Sequence, residues 1–143
     1  MLIGLESPSA EVLELIEKKV TKEELIETVN RCKKHNIHGS YTLITGFPSV
    51  DKTHIDETLE FGEYVKTVDP SCEIKTHIFY PFKGSKIYDH AVSNGFNPPE
   101  SIEDICQIDY YEKASPFISE EDAIKVRQFN LGHSHSVTEK GGE

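Results

Sequence analysis

Three short runs rich in apolar, β-branched and aromatic residues alternate with stretches of helical period, and this alternation limits the fold more than any other feature of the chain. The runs are Leu2–Glu6, Ile37–Thr45 and Glu73–Tyr80. Strands separated by helices imply right-handed crossovers and a parallel sheet, so the fold class is α/β. Ser9 is placed to cap a first helix with Val12, Leu13, Leu15 and Ile16 in register, and Thr21-Lys-Glu-Glu24 is a capping-box pattern opening a second. The second helix gathers Leu25, Ile26, Val29 and Cys32 on one face and stops at Asn36, a residue that tolerates the left-handed conformation. Thr53-His-Ile-Asp56 opens the helix between the second and third strands, with Ile55, Leu59, Phe61 and Val65 inward. Ser85 is read as the cap of a further helix, terminated at Gly95. Three parallel strands cannot close a barrel, and they leave two edges with unpaired backbone groups.

Beyond Gly95 the pattern changes. Asn97-Pro-Pro99 is a loop, Ser101-Ile-Glu-Asp104 opens a short helix, and Ile108–Tyr111 reads as an extended piece. Ser119-Glu-Glu-Asp122 caps a last helix running to about Asn130. The expected organisation is an α/β unit of three parallel strands over residues 1–96, a helical extension over 97–131 and a disordered polar tail over 132–143.

A length of 143 residues fits one domain. The net charge of −10, with no basic stripe, argues against nucleic acid as a partner. No run reaches the roughly 18 apolar residues that span a bilayer. The N-terminus has no basic leader or cleavage signal, so the expected location is the cytoplasm, and it enters an apolar run at once, as if cut at the start of a strand. Cys32, Cys72 and Cys106 are too far apart for a CxxC pair and odd in number, which reads as buried or inert thiols in a reducing compartment. His133-Ser-His135 has no third ligand near it, so no metal site is expected. There is no Walker loop, GxGxxG, Ser-His-Asp or Cys-His arrangement.

In (β/α) architectures the functional groups collect at the C-terminal ends of the strands. The order of elements therefore puts Glu6-Ser7, Thr45-Gly46-Phe47 and Phe79-Tyr80 on one rim. Glu6 either accepts hydrogen bonds from a ligand's ammonium or hydroxyl groups or caps the helix that follows. Lys18 either meets a carboxylate or, with Lys19, ends a helix dipole. Gly46-Phe47-Pro48 permits close backbone approach and a rigid turn. Phe79 and Tyr80 end the third strand, where aromatic residues ordinarily pack the sheet. His77 is either a core histidine or one that faces the substrate.

Taken together, Gly4-Leu-Glu-Ser-Pro-Ser9, Val12-Leu13, Lys18, Gly46-Phe-Pro48, Pro81-Phe-Lys-Gly-Ser85, Ile87-Tyr88 and Gly95 resemble the second half of the radical S-adenosylmethionine (SAM) core, in the group often joined to cobalamin-binding domains. The resemblance covers roughly residues 2–96. It implies strands four to six of a TIM-like barrel, with Glu6 on the amino-acid or ribose part of SAM and Lys18 on its carboxylate. Gly46, Phe47, Phe79 and Tyr80 would then lie around the adenosine. It also implies that the parent enzyme holds a [4Fe–4S] cluster on a CxxxCxxC motif in an N-terminal half, and that reductive SAM cleavage there yields a 5′-deoxyadenosyl radical. That motif is not in this chain, which alone is read as inactive and as needing the N-terminal half as its partner. Cobalamin belongs to the parent at most, and no residue here supports it. Four positions depart from the family pattern: Pro8, Lys83, Ser49-Val50 in place of Gly-Glu, and Thr42 where some relatives carry Asp. Two other readings stay open. One is a non-catalytic α/β remnant or subunit that pairs its open sheet edge with another chain. The other is an unrelated barrel fragment that binds phosphate at Gly46 and the following helix N-terminus.

Overall fold

A computed structural model describes residues 1–106 and 115–133. The elements run β1 (Leu2–Glu6), α1 (Ala10–Leu15), α2 (Lys22–Lys34), β2 (Ser40–Thr45), α3 (Thr53–Val68), β3 (Glu73–Ile78), α4 (Tyr88–Ser93), α5 (Ile102–Cys106) and α6 (Glu120–His133). The three strands form a parallel sheet in the order β1-β2-β3, with Leu2 opposite Ser40 and Ser40 opposite Glu73. This is the α/β architecture of a partial TIM-like barrel.

Local signals in the sequence explain most boundaries. The Ser9 hydroxyl accepts from the Val12 amide, and Thr21 and Glu24 complete a reciprocal capping box at α2. Asn36 takes φ 54°, as a left-handed stop should. Two strands are shorter than their sequence runs. Ile37 still donates to Cys32 at the end of α2, so β2 begins at Ser40, and β3 ends at Ile78 although the Phe79 amide still reaches Thr45. Ser85 does not cap a helix. Its hydroxyl donates back to the Phe82 carbonyl in a turn, and α4 begins later, at Tyr88 behind Ile87.

Period-two alternation sends Leu5, Tyr41, Leu43 and Ile74 to one face, where Leu25 and Val29 of α2 and Phe61 and Val65 of α3 cover them. The opposite face carries Gly4, Glu6, Ser40, Thr42, Ile44, Lys75 and His77, all half-buried or exposed. In a (β/α) barrel the face away from the helices lines the interior.

The last helix is part of this core. Val126 and Ala123 pack with Ile55 and Ile78, and the Phe129 ring occupies the space that a side chain at Gly62 would need, 2.4 Å from its Cβ position. Asn130 does what a neighbouring strand would do. Its Oδ1 accepts from the Thr76 amide and its Nδ2 donates to the Thr76 carbonyl, each at 2.8 Å. The expectation of two open edges is therefore corrected: β3 is closed at Thr76, and among the described residues the outer edge of β1 has no strand beside it. The helix also runs three residues past Asn130, so Gly132 and His133 are helical; the rest of the expected tail and Ile108–Tyr111 lie outside the described residues. Cys32 and Cys72 are buried, but Cys106 is exposed, because α5 buries none of its residues. No helix among the described residues is long and apolar enough to cross a membrane.

Candidate functional site

The end of β1 is distorted around Glu6. The pairing with β2 slips between Gly4 and Glu6, and Glu6 itself has φ 63°. A non-glycine residue held in this region stores strain, which persists only where the surroundings over-determine it. Here the carboxylate folds back over Gly4: a Cβ at Gly4 would lie 2.3 Å from Glu6 Oε1, so only glycine leaves room. Lys18 then fastens the arrangement. Its Nζ donates to the Gly4 carbonyl and lies 3.2 Å from Glu6 Oε1, with the two side chains 28% and 22% exposed. Helix α1 ends three residues before Lys18, and Glu17 at φ 55° turns the chain back toward β1. Lys18 thus reaches the rim and does not extend the helix axis. The paired groups present one carboxylate and one ammonium to the same side, which matches the two ends of an amino acid.

The Gly46-Phe47-Pro48 loop is held from behind by a residue that motif reading passed over. His54, 2% exposed, places Nε2 3.1 Å from the Gly46 amide and 3.4 Å from the Phe47 amide. Its Nδ1 is 2.6 Å from the Asp51 carbonyl. The available signal was a histidine in the first turn of the helix that follows the loop. Gly46 takes φ 78° and backs onto Ile118. Ser49 takes φ 63°, the conformation that suits the glycine usual at this step, and its hydroxyl is 2.9 Å from His90 Nε2 on α4. The phosphate reading loses its donors here. Both loop amides point to His54, and the Asp51 carboxylate already accepts from the Thr53 amide at the start of α3. That hydrogen bond holds the Asp51 carboxyl below its ordinary value.

Glu6, Phe47, His77, Phe79 and Tyr80 line one cavity of about 580 Å³ at the C-terminal ends of the strands. Pockets for small molecules span roughly 300–1,000 Å³. Four of the six residues singled out from sequence meet there; Lys18 joins through Glu6, and Gly46 stands behind Phe47. Phe47 and Phe79 are 3% and 8% exposed with ring centroids 4.8 Å apart, so they form a wall already packed on itself. Tyr80 meets Phe96 edge-on at 5.3 Å. His77 faces the cavity and settles its own ambiguity: it is on the open face. Burial lowers its pKa, Lys75 lowers it further, and the Glu6 carboxylate partly offsets both. Among the described residues no group of three His, Cys, Asp or Glu side chains could hold a metal ion. Two buried thiols and one exposed thiol do not fit an iron–sulfur cluster within this chain.

Comparison with known proteins agrees with the motifs. Residues 1–62 match the family model for the radical SAM superfamily. A curated relative from Pyrococcus horikoshii, described as the uncharacterized methyltransferase PH0819, is 27% identical over 125 residues, which is 87% of this chain and 26% of that protein. The chain thus spans about a quarter of the length of the curated relative it matches. The segment that matches the radical SAM superfamily model holds the Gly4-Leu-Glu6 strand end, Lys18 and the Gly-Phe-Pro loop in the geometry described above.

Proposed function

We propose that this chain supplies the C-terminal SAM-binding wall of a radical SAM enzyme. The observation that supports it is the convergence of Glu6, Phe47, Phe79 and Tyr80 on one cavity, with Lys18 paired to Glu6 at its edge. Glu6 would accept the SAM ammonium or a ribose hydroxyl, and Lys18 would turn from Glu6 to the SAM carboxylate. The aromatic wall would exclude water and orient the adenosine. The [4Fe–4S] cluster, held by residues outside this chain, would supply the electron for SAM cleavage. This chain's own part is binding and orientation. The description of the relative as a methyltransferase favours methyl transfer as the parent reaction.

The test is SAM or S-adenosylhomocysteine titration of the chain assembled with its N-terminal half, as wild type, Glu6→Ala and Lys18→Ala, followed by NMR shifts at Glu6, Phe47 and Tyr80. Loss of one charge-assisted hydrogen bond costs about 1.5–3 kcal/mol, or roughly tenfold to a hundredfold in affinity. Equal affinity in all three proteins would sink the assignment.

A further inference from the structure

We infer that His54, as the neutral Nδ1–H tautomer, is the positioning residue of the Gly46–Phe47 loop and thereby sets the Phe47 wall of the cavity. The inference rests on the SAM-binding reading for what the cavity holds, and on hydrogen-bond geometry for how the loop is held.

The tautomer follows from donor and acceptor chemistry. The Asp51 carbonyl can only accept, so Nδ1, 2.6 Å away, carries the proton. The amides of Gly46 and Phe47 can only donate, so Nε2, 3.1 Å and 3.4 Å from them, is the bare nitrogen. One imidazole thus closes a ring from the end of β2 to the start of α3. At 2% exposure no bulk water replaces it. A buried amide without an acceptor is costly, and two would share the loss.

The consequence for the site is directional. With both N–H groups turned inward, the loop offers the cavity no backbone donors from Gly46 or Phe47. Its contribution there is the Phe47 ring, whose centroid lies 6.3 Å from His54 and 4.8 Å from Phe79. His54 has no place in the cavity lining itself. It acts through Phe47, so it tunes the adenosine wall without touching the ligand. His90 does not substitute for it: that side chain reaches the Ser49 hydroxyl, beyond Pro48.

The experiment uses ¹⁵N-histidine NMR and amide exchange on the 143-residue chain as wild type, His54→Gln and His54→Leu, and S-adenosylhomocysteine titration of the same three proteins assembled with the N-terminal half. The Gln amide oxygen stands in for Nε2 and still accepts; Leu cannot. Expected are a bare Nε2 and protonated Nδ1 at neutral pH. Exchange at Gly46 and Phe47 should rise about tenfold in His54→Leu, as for loss of a net hydrogen bond, and stay slow in His54→Gln, with Tyr41–Leu43 protected in all three. Ligand affinity should fall in His54→Leu and return in His54→Gln. A protonated Nε2 in the wild type overturns the inference without recourse to any variant. Unchanged exchange at both amides in a folded His54→Leu does so as well, as does failure of Gln to rescue. Correct tautomer and exchange with no binding of S-adenosylhomocysteine by the wild type assembled with its N-terminal half would instead refute the SAM-binding reading and leave the loop assignment supported.

Discussion

Removing the Asn130 side chain should destabilise this fold more than any other single polar change on α6. The amide makes two 2.8 Å hydrogen bonds to the backbone of Thr76, a residue with no exposed surface. In Asn130→Ala both bonds vanish, and the Thr76 N–H and C=O are left facing a void beside β3. Each net bond is worth about 0.5–1.5 kcal/mol, and each orphaned buried group adds a penalty, so the expected loss is roughly 2–4 kcal/mol. That is a large part of the roughly 5–15 kcal/mol that holds a domain together. Urea unfolding with a shared m-value measures it. Asn130→Asp gives a second reading. The carboxylate still accepts from the Thr76 amide but opposes its carbonyl, so its folded-state pKa must rise above the ordinary aspartate value. A raised acid pKa means stability that is present at low pH and lost as pH rises through the folded value. The aspartate variant should therefore be weakest at neutral pH and recover on acidification. A loss below about 0.5 kcal/mol in Asn130→Ala, the scatter of ordinary surface changes, would refute the view that α6 stands in for a strand.

Two further outcomes follow from the rim. Gly4→Ala puts a methyl group 2.3 Å from the Glu6 Oε1 position, so the carboxylate must swing out and the Lys18 contact must break. An unshifted Lys18 Nζ resonance in that variant would contradict the geometry. His77 should titrate below its ordinary value of 6.5, because burial and then Lys75 disfavour the imidazolium. A base with a depressed folded pKa costs stability as pH falls from that ordinary value toward the folded one, and His77→Gln should remove this slope. An imidazole midpoint above 6.5 would show that Glu6 outweighs burial.

Much of the architecture was legible in the chain because it rests on local chemistry. The capping pairs at Ser9 and Thr21, the stop at Asn36 and the period-two runs report backbone preferences a few residues long, and the structure keeps them, with two of the runs shortened. Ser85 failed for the same reason that the others succeeded. A serine before an apolar stretch is a cap only if its own backbone is extended, and here the Phe82 carbonyl drew the hydroxyl into a turn. Strand order alone puts Glu6, Phe47, Phe79 and Tyr80 at neighbouring strand ends, and all four line one cavity. The family pattern supplied Lys18, which no local rule could have joined to Glu6.

What remained hidden involves side chains that act on backbone far away or out of register. Asn130 closes an edge 54 positions back in the chain, a contact that no periodicity encodes. His54 looked like an ordinary first-turn residue until the chain reversal at Pro48 brought two amides onto its Nε2. The slip after Gly4, the φ of 63° at Glu6 and the ion pair with Lys18 occur together at one strand end, an arrangement that no local pattern encodes. Sequence by itself determined which segments become strands and helices and which residues end on the rim, since those follow from neighbours along the chain. Only the tertiary structure decided which groups are held inward, which edge is closed and which carboxylate is already paired. Those depend on distances between segments, and hydrogen bonds and charges act through space.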